Sequence, residues 1–243
     1  MIELKNKPQT PPTTKEQPSK QPQTEQPPEI FAKGMCFSKL FWLFVIGNVV
    51  GCIMETFWCL ITLHEFQMRV GLVLGPFIPI YGIGAVLITV GLYKIIDKSD
   101  ILIFLCSGLI GGVFEYFCSW AQEMVFHTVS WDYSDTPFNF NGRTNLMFML
   151  CWGLLGLVWI RIIYPWISRF IEMLPVKWGR ILTRALILFF VFDIALTVLA
   201  QARRTLRNEY HMPPKTIVGQ ILDEVYDDKT LDWLFPNMMP APK

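Results

Sequence analysis

Gly111-Gly-Val-Phe-Glu115-Tyr-Phe, and after it Trp131-Asp-Tyr-Ser-Asp-Thr-Pro-Phe-Asn-Phe-Asn-Gly142-Arg143, decide how this chain is read. The first stretch puts an ionisable Glu inside an apolar helix. The second leaves that helix through a loop dense in Trp, Asp, Asn and Arg. A carboxylate in such a run is rare, because a charge at the bilayer centre costs about 2.5–3.5 kcal/mol on insertion scales.

The composition around this stretch is that of a membrane protein. Of 243 residues, 52% are hydrophobic and only 17% charged, against about 45–50% and about 25% in soluble domains. The apolar excess sits in blocks, not in periodic faces. Five blocks approach the roughly 20 residues that cross a hydrocarbon core of about 30 Å. They lie near 38–62, 72–95, 101–126, 145–165 and 182–202. The sequence thus predicts an all-α integral membrane protein with about five transmembrane helices, its membrane domain covering residues 33–204. Residues 1–32 are rich in Pro, Gln and Thr, and are expected to be a disordered cytoplasmic tail. Residues 205–243 read as a soluble tail with an amphipathic acidic helix. There Ile217, Ile221, Leu222, Val225 and Leu231 recur at helical spacing opposite Asp223, Glu224, Asp227 and Asp228. Packing on its own chain is the simplest use of that helix, and docking on a partner the alternative.

A net charge of +1 gives no sign of nucleic-acid binding. The six cysteines all lie in or beside apolar runs without metal-type spacing, so free buried thiols are expected. Lys33, Lys39, Lys94, Lys98, Arg161, Arg169, Lys177, Arg180 and Arg184 flank one end of the expected spans, whereas the other end has Arg69 and Arg143. That bias puts the N-terminus in the cytoplasm. Arg203, Arg204 and Arg207 disagree, and leave the side of the C-terminus open. The connection Phe170-Ile-Glu-Met-Leu-Pro-Val-Lys-Trp-Gly179 reads as a segment lying in the membrane interface.

The chain also repeats itself. Gly51-Cys-Ile-Met-Glu55-Thr-Phe matches Gly111-Gly-Val-Phe-Glu115-Tyr-Phe at a shift of 60 residues. On a helix, Asn48, Gly51, Glu55, Cys59 and Thr62 form one narrow stripe, and Gly108, Gly111, Glu115, Ser119 and Gln122 form its counterpart. Small residues let helices approach closely in lipid, and polar ones bond across the contact. A loop Arg and a new helix follow each stripe. The expectation is a parallel two-span repeat plus one added span, with a site at the repeat interface.

Glu55 and Glu115 are therefore the first site candidates, with Arg69 and Arg143 as their expected partners. Gly75-Pro-Phe-Ile-Pro-Ile-Tyr81-Gly82-Ile-Gly84 is a second, since its prolines and glycines break the helix ladder. Freed carbonyls at membrane depth need burial in protein or a wet cavity. The loop contributes Asp132, Asn141 and Arg143 as a polar mouth, near Glu123. Asp193, with Thr197 one turn on, is a further intramembrane acid and a candidate to pair with an Arg. His64 and His127 follow the first and third spans and are expected on one side, more as interfacial residues than as ligands. No catalytic constellation, phosphate cradle or metal cluster is present, so no cofactor is expected.

Gly75-Pro-Phe-Ile-Pro-Ile-Tyr-Gly-Ile-Gly-Ala85, Glu115 with Ser119 and Glu123, and Trp131-Asp-Tyr-Ser with Asn139-Phe-Asn-Gly-Arg143 resemble the bacterial membrane proteins described as "putative ABC-transporter type IV", the CmpB-like family. The resemblance covers about residues 38–200. It implies a multi-pass protein of the bacterial plasma membrane, labelled a permease, and any ATPase would be a separate subunit. Three functions stay open: a permease for a small solute or ion, a non-catalytic scaffold or regulator, and a membrane enzyme acting on a lipid head group. The partners implied are the lipid bilayer, an ATPase or second membrane subunit, and further copies of the chain.

Overall fold

The computed structural model describes residues 29–240 except 65 and 68, so most of the expected N-terminal tail lies outside the described residues. Four helices are long and apolar enough to cross a bilayer: Phe37–Leu63, Asp100–Phe126, Leu146–Glu172 and Val176–Asn208. They make an all-α membrane protein, with only two-residue strands beside the helices. The count is thus four, not five. The block expected to span from residue 72 holds a shorter apolar helix, Pro79–Ile95. The prolines and glycines before Pro79 keep the helix from starting earlier.

In chain order, α1 is Phe37–Leu63, α2 is Pro79–Leu92 with a 3-10 turn to Ile95, and α3 is Asp100–Phe126. Strands β1 (Thr128–Val129), β2 (Asn139–Phe140) and β3 (Thr144–Asn145) follow. The next long helix comprises α4 (Leu146–Val158), a π-helical turn (Trp159–Ile163) and α5 (Tyr164–Glu172). Pro165 accounts for the turn: it has no N–H for the carbonyl one turn back, and a π-bulge absorbs the misfit. Then come α6 (Val176–Asn208), α7 (Ile217–Val225), α8 (Asp228–Leu234) and β4 (Met239–Pro240).

Glycine contacts set the helix directions. A Cβ on Gly47 would touch Ala85 and Gly82, whereas one on Gly51 would run into Tyr81. As α1 advances α2 recedes, so the pair is antiparallel. Gly91 meets Ile110 and Gly84 meets Phe114, so α2 and α3 are antiparallel too. Phe104 lies on Gly153 and Met149 on Gly112, which sets α4 against α3. Two hairpins, α1–α2 and α3–α4, therefore run in the same sense. Both α1 and α3 are 27 residues long, and both end on a His in the left-handed region, His64 at φ 56° and His127 at φ 53°. These two histidines are helix C-caps.

Residues outside this frame differ more from expectation. The fourth span runs on to Glu172, and α6 starts at Val176. The stretch expected in the interface is thus two helix ends joined by Met173–Pro175. Lys39 is not a flanking surface charge: it is fully buried, and its ammonium donates to Ser168 and, at 2.7 Å, to Glu172. Arg161 holds the α2–α3 connection by bonding Asp100 and the carbonyls of Ile96 and Lys98. At 33 residues, α6 is about 50 Å long and outruns a bilayer of about 30 Å. Its extension carries Arg203, Arg204 and Arg207, which pair with Asp223, Asp232 and Asp228. The basic cluster that opposed the orientation rule is thus neutralised by the helices that follow it.

The expected acidic helix is two helices, broken at Tyr226–Asp227. Leu222 and Leu231 are buried against the chain, while Ile217, Ile221 and Val225 face outward. The main core holds Leu43, Ile88, Leu92, Ile103, Trp159 and Ile171. Exposed apolar side chains such as Leu105, Leu109, Leu154 and Leu188 coat the bundle, as a lipid-facing surface requires.

Candidate functional site

Both hairpins carry the same local device. In the first, the small face of Gly51 lets the Tyr81 ring press onto α1; an added Cβ would lie under 3.0 Å from it. Tyr81 then reaches one turn further along α1, and its hydroxyl donates to Glu55 Oε1 at 2.6 Å. In the second, Trp152 presses on Gly111 just as closely and lies against the Glu115 carboxyl group one turn on. The two matched glutamates are thus placed by matched glycine–aromatic contacts.

Neither glutamate meets its expected arginine. Glu115, nearly fully buried, accepts from Thr144 Oγ1 at 2.7 Å and from Tyr133 Oη at 3.2 Å. Burial pushes the Tyr133 phenol far above its ordinary pKa, so it remains a donor. Arg143 bonds Glu123 at 2.5 Å, not Glu115, and also reaches Ser119 Oγ and the Tyr116 ring. Arg69 turns to Asn237 and to Cys59 Sγ. Among the described residues, Glu55 and Glu115 form no ion pair. Each Arg engages its helix nearer the loop: Arg69 meets Cys59, four residues beyond Glu55, and Arg143 meets Glu123, eight residues beyond Glu115.

Glu55, Glu115, Tyr81, Tyr133, Arg69 and Trp152 line one cavity of about 500 Å³ between the hairpins. A neighbouring cavity of about 380 Å³ shares Glu55 and Arg69 and extends to Cys118, Gln122 and Gln201. The other loop candidates lie apart from it. Glu123, Arg143, Asp132 and Asn141 line a separate pocket of about 200 Å³. Asp132 serves the loop itself. Its Oδ1 accepts from the Ser134 hydroxyl and N–H, which hold its pKa below the ordinary range. Asn141 donates to the Tyr116 hydroxyl.

Asp193 lies elsewhere and meets no Arg. It is fully buried on α6, and its Oδ1 accepts the Leu74 N–H at 3.0 Å. Thr197 accepts the Val73 N–H in the same way. Gly71 donates to the Phe77 carbonyl, and the Cys52 thiol lies 2.9 Å from the Arg69 carbonyl. The broken segment before α2 is therefore satisfied inside the protein, as irregular backbone at membrane depth must be.

Several site residues escaped the sequence reading. Tyr133 sat within the quoted loop, flanked by Asp132 and Ser134, and Thr144 followed Arg143. A hydroxyl within one residue of a marked acid or base was the available signal. Asn237 had none, since its contact with Arg69 spans 168 residues.

No curated protein and no solved structure matches the chain. A family model does: it covers residues 42–198, from the first turns of α1 into the second half of α6, and so includes both hairpins, the broken segment and Asp193. By that match over most of its length, the chain belongs to the family described as "Putative ABC-transporter type IV".

Proposed function

We propose that this chain is a permease subunit that passes a small positively charged solute between its two hairpins. One observation carries the reading: Glu55 and Glu115 line a single cavity, and both are held by hydroxyl groups instead of cations. A carboxylate withdrawn from water without a counter-ion is costly, most of all the buried Glu115, and an entering cation relieves that cost for both acids. Arg69, the one base in the lining among the described residues, is engaged by Asn237. Selectivity in this reading comes from the two acids, and fit from the walls of Tyr81, Tyr133 and Trp152, whose aromatic faces also attract cations.

Energy comes from a separate ATPase subunit, since the chain has no Gly-x-x-x-x-Gly-Lys-Ser/Thr loop. The N-terminus is cytoplasmic and the cavity opens outward. In support, Lys33, Lys94, Lys98 and Arg169 crowd the end away from the cavity. The three arginines that argued otherwise are paired with aspartates.

The test uses purified protein in neutral-lipid nanodiscs, with methylammonium chloride as the cationic probe and N-methylglucamine chloride, whose cation is bulky, at equal ionic strength as the control. Methylammonium is expected to raise the melting temperature in a saturable way, and Glu55→Gln and Glu115→Gln to abolish the rise. Equal responses to both salts, or an undiminished rise in both variants, would overturn the proposal.

A further inference from the structure

The residues beyond α8 take no part in the hairpins, yet they reach the site. Leu231 and Phe235 pack on Val73 and Ala200, and the Phe235 N–H bonds the Leu231 carbonyl. That makes α8 a firmly seated base. Past Phe235 only Met238, half-buried, still touches this packing, and its N–H donates to the Phe235 carbonyl at 3.0 Å. Pro236, Asn237 and Met238 line the 380 Å³ cavity, and Asn237 lines the 500 Å³ cavity as well. The Asn237 side-chain oxygen accepts from Arg69, in the connection of the first hairpin. Met239 and Pro240 then pair antiparallel with Val129 and Thr128, directly after α3 of the second. Five residues thus join one hairpin to the other, and three of them form part of the cavity wall on the way.

Their attachment is slight beside that of the base. The Arg69–Asn237 contact is exposed, and Met239 is 44% exposed. The strand pairing is two residues long and ends in a proline, which has no N–H to give. Releasing these contacts leaves Leu231 and Phe235 in place.

We propose that residues 236–240 are a detachable strap, hinged at Phe235, that closes the mouth of the cavity between the hairpins and lifts to admit solute. The strap rests on reading the cavity as the solute site, but it can be tested with no solute present. Cys118 lines the 380 Å³ cavity and serves as the reporter. In full-length protein whose other five cysteines are replaced, a positively charged methanethiosulfonate reagent is added in detergent, and peptide mass spectrometry follows the labelling of Cys118. Deleting residues 236–243 is expected to speed labelling about tenfold or more, because accessibility scales with the open fraction. Val129→Cys with Met239→Cys places thiols on residues paired in register, which suits a disulfide. Oxidation should slow labelling below the parent rate, and reductant should restore it. If the deleted protein folds and labels at the parent rate, the strap is no lid. If the deletion fails to fold, the cross-linked variant decides: equal rates oxidised and reduced overturn the proposal. Either result leaves the cation reading standing, whereas an undiminished methylammonium response in both Glu55→Gln and Glu115→Gln would remove that reading and leave the strap.

Discussion

Replacing Gly111 with Ala tests the contact that places Glu115. The added Cβ would lie under 3.0 Å from Cβ, Cγ and Cδ2 of Trp152. These atoms are at the root of the side chain, so rotating the indole cannot clear them; α4 has to move away from α3. Overpacking of this kind costs about 1–3 kcal/mol, and the backbone shift puts this site at the upper end. Gly84→Ala is the graded control. Its Cβ would meet the far edge of the same indole at 3.1 Å, where a few tenths of an ångström of movement is enough. Its cost should stay below about 1 kcal/mol. With roughly 2–4 °C per kcal/mol for a domain of this size, Gly111→Ala should melt about 6–12 °C low in detergent and Gly84→Ala within about 4 °C of the parent. Gly51→Ala, which meets Tyr81 at the same kind of root atoms, should resemble Gly111→Ala. A melting temperature for Gly111→Ala within 2 °C of the parent, or a larger drop for Gly84→Ala, would refute the matched-hairpin argument.

Three other perturbations follow from named contacts. Arg143→Ala leaves Glu123, about a third exposed, without its partner and removes the Tyr116 contact, so a loss of about 1–2 kcal/mol is expected in thermal melts. Arg143→Lys should recover only part of it, since an ammonium cannot bond Glu123 and Ser119 with a planar fork. Lys39→Met strands Glu172, which is about a third exposed, and should destabilise by about 1–2 kcal/mol, while Lys39→Met with Glu172→Gln should be milder; a double-mutant cycle showing no coupling would reject the pair. The α7–α8 dock should be acid-sensitive. Hydrogen bonds from Arg203 to Asp223 and from Arg207 to Asp228 hold both carboxyls below their ordinary pKa. A depressed folded-state pKa means that the stabilisation is complete above the unfolded value of about 4 and is lost as pH falls through the folded one. Arg204, Asp232, Asp227 and Lys229 surround the ladder and set its local charge, and Asn208 donates to Asp228. Cleavage within residues 209–240 by an acid-tolerant protease should therefore rise only below about pH 4, and a flat profile from pH 7 to 3 would count against the ladder.

The apolar blocks and the rarity of charge within them were enough to set the protein class, because a bilayer demands length and apolarity, and both are linear properties of the chain. Periodicity also placed Glu55 and Glu115 on small-residue stripes, and proline and glycine chemistry marked the break before α2. Those are consequences of helix geometry within a few turns, and they survive in the structure as the Gly51–Tyr81 and Gly111–Trp152 contacts. Helix ends were less legible. Residues 165–182 looked like a connection, with 170–179 in the interface, because Pro165, Pro175 and several charges interrupt the hydropathy, yet a π-turn absorbed one proline and the other sits ahead of the first turn of α6. Partner choice was decided only by the tertiary structure. Arg143 and Glu115 are close in the chain and opposite in charge, but a guanidinium bonds what it can reach within about 3 Å, and that was Glu123. Lys39 counted as a surface charge until Ser168 and Glu172, 129 and 133 residues away, closed around it. The pairing of Arg203, Arg204 and Arg207 with aspartates, and the passage of Asn237 over the cavity, likewise join residues distant in the chain. Local sequence tells a residue which way it faces on its own helix, and only packing brings to that face the group it will bond.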